Sequence, residues 1–201
     1  MGNRAVIKFK GEDCGIYLHW NGGRDSVEAF LDYCRMRGFR SDDYGVARMA
    51  QVIGNWFGGE LSLGVISTSH SLKDLDPGDN GVYIVDNWKI VGRYPRDVRE
   101  QNEYDRKEML ESIDSMQPKR DQLGKKFLNG EDVPVADIKK GDRIFISEYS
   151  GGYKVVRVVG FGKAYNNKVV PIVNRYGKKM SEIRDNGNNY LTGDVYRKVV
   201  V

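Results

Sequence analysis

The 201-residue chain predicts an α+β fold in two domains, and three observations lead there. Two stretches with helix-spaced apolar residues lie among short strand candidates in residues 1–96. From Phe127 onward the pattern changes to strands punctuated by Gly, Asn and Tyr. Charge changes at the same place. Residues 1–96 carry 12 basic and 12 acidic side chains, residues 97–126 carry 7 and 8, and residues 127–201 carry 13 and 8. The whole net charge of +4 therefore sits in the last third, which argues for domains with different partners. The expected organisation is a small two-helix, antiparallel-sheet module over 1–96, a connecting helix over 97–126, and a small β-barrel, SH3-like or related, over 127–201.

Ala5–Phe9 is a short apolar-rich strand candidate, and Gly15–Trp20 reads as its hairpin partner. Asn21-Gly22-Gly23 breaks the chain. Asp25 can then cap a helix, with Glu28 completing a capping box. Val27, Phe30, Leu31 and Cys34 recur at helical spacing, and Gly38 ends that helix. Asp43 opens a second helix whose Val46, Met49, Ala50, Ile53 and Phe57 share a face, before Gly58-Gly59 stops it. Leu61–Ser67 reads as a strand. Asp76–Gly81 is dense with turn formers, and Val82–Val85 and Trp88–Gly92 flank Asp86-Asn87 as a hairpin. Residues 97–116 are charged and helix-favouring, with Met109, Ile113 and Met116 on one stripe, and Pro118 terminates them. Beyond Phe127, segment 133–142 leads into strands at Arg143–Ser147, Lys154–Val159, Lys168–Val173 and Val195–Val201.

Several classes are excluded by composition. With 40% hydrophobic and 30% charged residues, the chain can build compact cores. Its apolar runs fall far short of the roughly 18 residues of a membrane span. The N-terminus becomes charged again at Lys8, before a signal-peptide core could form, so a cytoplasmic protein without membrane contact is expected. Val6 stands where a myristoylation motif needs Ser or Thr. Cys14 and Cys34 are no disulfide framework, and with His19 and His70 they make no zinc spacing. No metal or cofactor is expected. Asp74, Asp76 and Asp79 resemble a calcium loop only superficially, because Pro77 interrupts and no Glu closes it.

Two places could carry chemistry. In Tyr17-Leu18-His19-Trp20-Asn21-Gly22-Gly23-Arg24, the glycines could expose backbone N–H groups to an anion. His19 could act as acid or base there, with Arg24 stabilising phosphate charge. The alternative is an imidazole on a sheet face satisfied by a hydrogen bond, with Trp20 as a core anchor. No P-loop pattern is present. The last third interleaves Lys139, Lys140, Arg143, Lys154, Arg157, Lys163, Lys168, Arg175, Lys178, Lys179, Arg184, Arg197 and Lys198 with aromatics that include Tyr153, Tyr165 and Tyr176. Basic side chains neutralise phosphates and exposed rings stack on unpaired bases, the pattern of a nucleic-acid surface. Ordinary lysine decoration and tyrosine packing of a soluble barrel is the alternative.

Gly2–Ile7, Tyr17–Gly23 with Val27–Leu31, and Asn80–Val85 through Trp88–Arg93 together resemble an N-terminal module of Firmicutes phage, plasmid and conjugative-element proteins. The resemblance covers about the first 95 residues and brings no catalytic motif. It implies a mobile-element accessory protein that counters host defence, with the type II-A anti-CRISPR proteins as the nearest association. The expected partners are then RNA or single-stranded DNA, or the Cas9 ribonucleoprotein. A small nuclease using His19 and a non-catalytic interaction module remain as alternatives.

Overall fold

In Ala5-Val6-Ile7-Lys8-Phe9 every residue but Lys8 is buried, and Lys8 itself is half-buried, as in a strand covered on two faces. The segment forms β1 (Ala5–Phe9), the centre of a five-stranded sheet in the order β3 (Leu63–Ser67), β2 (Cys14–Leu18), β1, β4 (Val82–Asp86), β5 (Lys89–Tyr94). The computed structural model describes residues 2–99, 102–147, 153–163, 169–174 and 195–200. The chain divides into two compact units, Met1–Lys119 and Arg120–Val201.

In the first unit, β1 pairs antiparallel with β2 (Cys14–Leu18), which pairs antiparallel with β3 (Leu63–Ser67). On its other side β1 pairs in parallel with β4 (Val82–Asp86), so the sheet is mixed, where sequence led to an all-antiparallel one. Only a long crossover lets two strands run parallel as neighbours. The excursion through the two expected helices and β3 supplies it.

Those helices are α1 (Arg24–Met36) and α2 (Asp43–Trp56). In α1 the four apolar residues expected on one face are all buried, and Gly38 follows in a left-handed conformation at φ 68°. Asp42 caps α2 by accepting from the Gly45 N–H. The capping box expected at the start of α1 does not form. Gly23 occupies the cap position without a side chain, and Glu28 pairs with Arg24 instead. Asp25, now inside the first turn, takes the backbone N–H groups of Glu103 and Tyr104.

A further long helix, α4 (Arg106–Ser115), packs on α1 and α2 and buries Met109, Leu110 and Ile113. It lies in the first unit and is no connector. Tyr33 donates to Asp114 across the α1–α4 contact at 2.8 Å, and both residues are buried. Gln117 donates to the carbonyls of Val52 and Ile113, tying α4 to α2. The short α3 (Leu72–Leu75) places Leu75 with Val6 and Val82 on the opposite sheet face.

The β4–β5 hairpin turns at Asn87-Trp88, one residue later than expected, with φ 46° and 61°. Strand β5 (Lys89–Tyr94) follows. Left-handed backbone at a bulky residue costs about 1–3 kcal/mol. Trp88 nevertheless sits there because its indole is buried edge-on to Phe9, with centroids 5.6 Å apart, and donates to the Phe39 carbonyl. Burying about 150–250 Å² of aromatic surface at roughly 25 cal/mol/Å² yields about 4–6 kcal/mol, so burial wins.

The second unit begins with α5 (Lys125–Leu128) and builds a five-stranded antiparallel sheet. Its strands are β6 (Glu131–Pro134), β7 (Arg143–Ser147), β8 (Tyr153–Lys163), β9 (Val169–Asn174) and β10 (Val195–Lys198). Ile138, Ile144, Ile146, Val156, Val158 and Val173 form its core, with Val133 and Tyr196 packed against them. Among the described residues β6 and β9 are open edges, and no pairing closes the expected barrel.

Candidate functional site

Residues Tyr17–Arg24 leave β2 and enter α1. The Tyr17 hydroxyl lies 3.1 Å from His19 Nδ1, and the His19 ring meets Trp20 edge-on at 5.1 Å. Arg24 donates to Glu28 at 2.7 Å. His19 and Arg24, expected as a catalytic pair, are thus each engaged by a neighbour of their own. The Gly22 N–H, expected to face an anion, donates instead to the Asn3 carbonyl at 2.7 Å. A Cβ on Gly22 would stand 2.7 Å from Ala5, so glycine is there for close chain approach.

Segments 2–7, 17–23 and 80–93 meet at this end of the sheet. Asn80 donates to the side-chain oxygen of Asn3, Arg93 donates to the Asn80 carbonyl, and Asn3 donates to Glu103. Arg4 binds Asp79 through its guanidinium at 2.7 Å and its backbone N–H at 3.0 Å. That guanidinium holds the Asp79 carboxyl below the usual carboxylate range.

Beside this network lies a cleft of about 750 Å³. The rings of Trp20, Trp56, Phe57 and Tyr104 line it together with the carboxylates of Glu60 and Glu103. Trp56 closes α2 and donates to Ser112. Asp25 fixes the backbone on which Glu103 and Tyr104 stand. The Trp56 and Tyr104 rings are 6.4 Å apart and nearly perpendicular, at 84°. Burial pushes the Tyr104 phenol up, and the charges of Glu103 and Asp25 add to it. Trp20 is 44% exposed on this cleft, so it is no core anchor. Its position past the end of β2, beside Asn21 at φ 57°, was the one local signal. The other walls come from separate segments, and nothing in their spacing announces the site.

In the second unit, Arg143 on β7 stands directly opposite Arg157 on β8. Both are exposed, and neither has a side-chain partner among the described residues. Lys139 and Lys140 are exposed on the approach to β7, and Lys154 and Lys163 are exposed near the two ends of β8. Tyr153 is packed against Phe127, with ring centroids 4.2 Å apart, and is not presented as a free platform. Arg197 lies over the Phe127 ring and donates to the carbonyls of Phe127 and Leu128 and to Asp132. Lys198 pairs with Asp142. Those two cations are therefore structural. Lys168, Arg175, Lys178, Lys179, Arg184, Tyr165 and Tyr176 lie outside the described residues.

Among the described residues, no three His, Cys, Asp or Glu side chains are placed to hold a metal ion, and no helix is long and apolar enough to cross a membrane. Comparison with protein-family models, with curated proteins and with solved structures finds no match in any of the three.

Proposed function

We propose that the chain belongs to the class of nucleic-acid or ribonucleoprotein binders, with the contact made by the second unit acting as a small barrel-like module. The Arg143–Arg157 pair is the observation that carries this reading. Like charges directly opposite on neighbouring strands destabilise a sheet. A phosphate whose oxygens accept from both guanidiniums would remove that repulsion and form charge-assisted hydrogen bonds. Lys139, Lys140, Lys154 and Lys163 are exposed as well, and residues 127–201 carry 13 basic against 8 acidic side chains.

Within that class, the particular reading is a mobile-element accessory protein that counters host defence, an anti-CRISPR inhibitor acting on Cas9 or its guide RNA. The resemblance of the N-terminal segments supports it. So does the chemistry of blocking, which needs a complementary charged surface and no active site. The test is salt-titrated binding to guide RNA, single-stranded DNA and Cas9 ribonucleoprotein, with the RNA then run on a denaturing gel. Tight, salt-dependent binding with intact RNA is expected. Absence of binding to all three would overturn the reading. RNA cut at sub-stoichiometric protein, and spared by His19→Ala, would replace it with a nuclease.

A further inference from the structure

The cleft of the first unit has chemistry opposite to the basic strands. Its polar walls include two carboxylates, Glu60 and Glu103, while Trp20, Trp56, Phe57 and Tyr104 supply aromatic surface. A phosphate would meet like charge there. A cation would find ring faces with negative quadrupoles and carboxylates close by. We propose that this cleft binds an organic cation, an ammonium or guanidinium head on a short apolar stem.

Three features fit this class of ligand. The Trp56 and Tyr104 rings, 6.4 Å apart and nearly perpendicular, put two aromatic rings side by side on one wall, where a cation is attracted to a ring face within roughly 6 Å. Glu60 is exposed and has no side-chain partner among the described residues, so its charge is available. Glu103 accepts from Asn3 through Oε1 and is held in place by that bond. Burial first, and then the charges of Glu103 and Asp25, push the Tyr104 phenol up, in keeping with carboxylates close to this wall. The volume, about 750 Å³, lies within the roughly 300–1,000 Å³ of small-molecule sites. The walls are also preorganised: Ser112 holds Trp56, and Asp25 holds the Glu103–Tyr104 backbone. The inference stands independently of the nucleic-acid reading, because it uses none of the same residues.

Tryptophan fluorescence of the full chain tests it. Two of the three tryptophans, Trp20 and Trp56, line the cleft, and Trp88 is 4% exposed in the core. The probes are choline, its neutral isostere 3,3-dimethylbutan-1-ol, and N-acetyl-arginine amide. Saturable quenching by at least one of the cations at millimolar concentration is expected, with the neutral alcohol about tenfold weaker. Glu60→Gln, which removes only a charge, should weaken cation binding about threefold to tenfold. Trp20→Ala, at an exposed position that leaves the core untouched, should abolish it. Choline binding more tightly than the arginine amide would assign the site to free quaternary amines, and the reverse order to basic side chains of a peptide. Equal quenching by choline and the alcohol, no saturation by either cation, or binding that survives Trp20→Ala would each overturn the proposal.

Discussion

Replacing Arg157 by Glu should strengthen the second unit and weaken its binding to nucleic acid at the same time. Arg157 lies opposite Arg143 on β7 and opposite Asn174 on β9, so no acidic side chain stands directly across from it in either register. Directly opposed Cβ atoms are about 4.5–5.5 Å apart, and an opposite-charge pair at that separation contributes about 0.2–1 kcal/mol. For a unit spanning Arg120–Val201, that corresponds to a rise of about 1–6 °C in its melting temperature. Binding should move the other way. Each phosphate contact contributes about 0.7–0.9 to the slope of log K against log salt, so the reversal should flatten that slope by about one. Arg157→Gln should fall between the two proteins on both axes. Calorimetric melting and fluorescence anisotropy with labelled single-stranded RNA, each across a salt series, measure the two effects. A lower melting temperature would refute the like-charge pairing. An unchanged salt slope would refute the role of this strand pair in binding.

Trp88→Ala should cost about 3–5 kcal/mol in urea denaturation, because it empties a core site against Phe9 and orphans the Phe39 carbonyl. Tyr33→Phe removes the donor to the buried Asp114 and should cost about 1–3 kcal/mol in the same assay, with little change in volume. Asp79 has its folded pKa below its unfolded value, so its pairing with Arg4 stabilises fully above about pH 4 and is lost as pH falls below that. Asp79→Asn should therefore be less stable than the parent at pH 7, and the difference should shrink by pH 3 in denaturant melts. Gly22→Ala drives a Cβ to 2.7 Å from Ala5 and should lower the melting temperature, measured by circular dichroism.

Local pattern carried far in α1 and α2. Their apolar spacing placed Val27, Phe30, Leu31 and Cys34 on one buried face and Val46, Met49 and Ile53 on another. The glycines that ended them stand at positive φ, a conformation that residue type alone makes available. The same pattern misjudged the segment before Pro118. Its charged residues suggested a solvated connector, yet Met109 and Ile113 of the expected stripe bury against α1 and α2, with Leu110 beside them and Met116 left exposed. A narrow apolar stripe reads alike in a linker and in a docked helix, since what differs is the surface opposite. Trp20 failed for a related reason: aromatic type predicts burial on average, but the end of β2 puts this one on an open cleft.

The sequence by itself determined α1, α2 and the first-unit strands, the α+β class, and the basic excess after residue 127, because propensity, periodicity and charge are properties of neighbouring residues. Tertiary structure alone decided that β4 lies parallel to β1, that Arg143 faces Arg157, and that Trp56, Glu60, Glu103 and Tyr104 close around Trp20. Each of those depends on contacts between segments far apart in the chain. Such contacts are selected by the free energy of packing whole faces together, which no window of neighbouring residues contains.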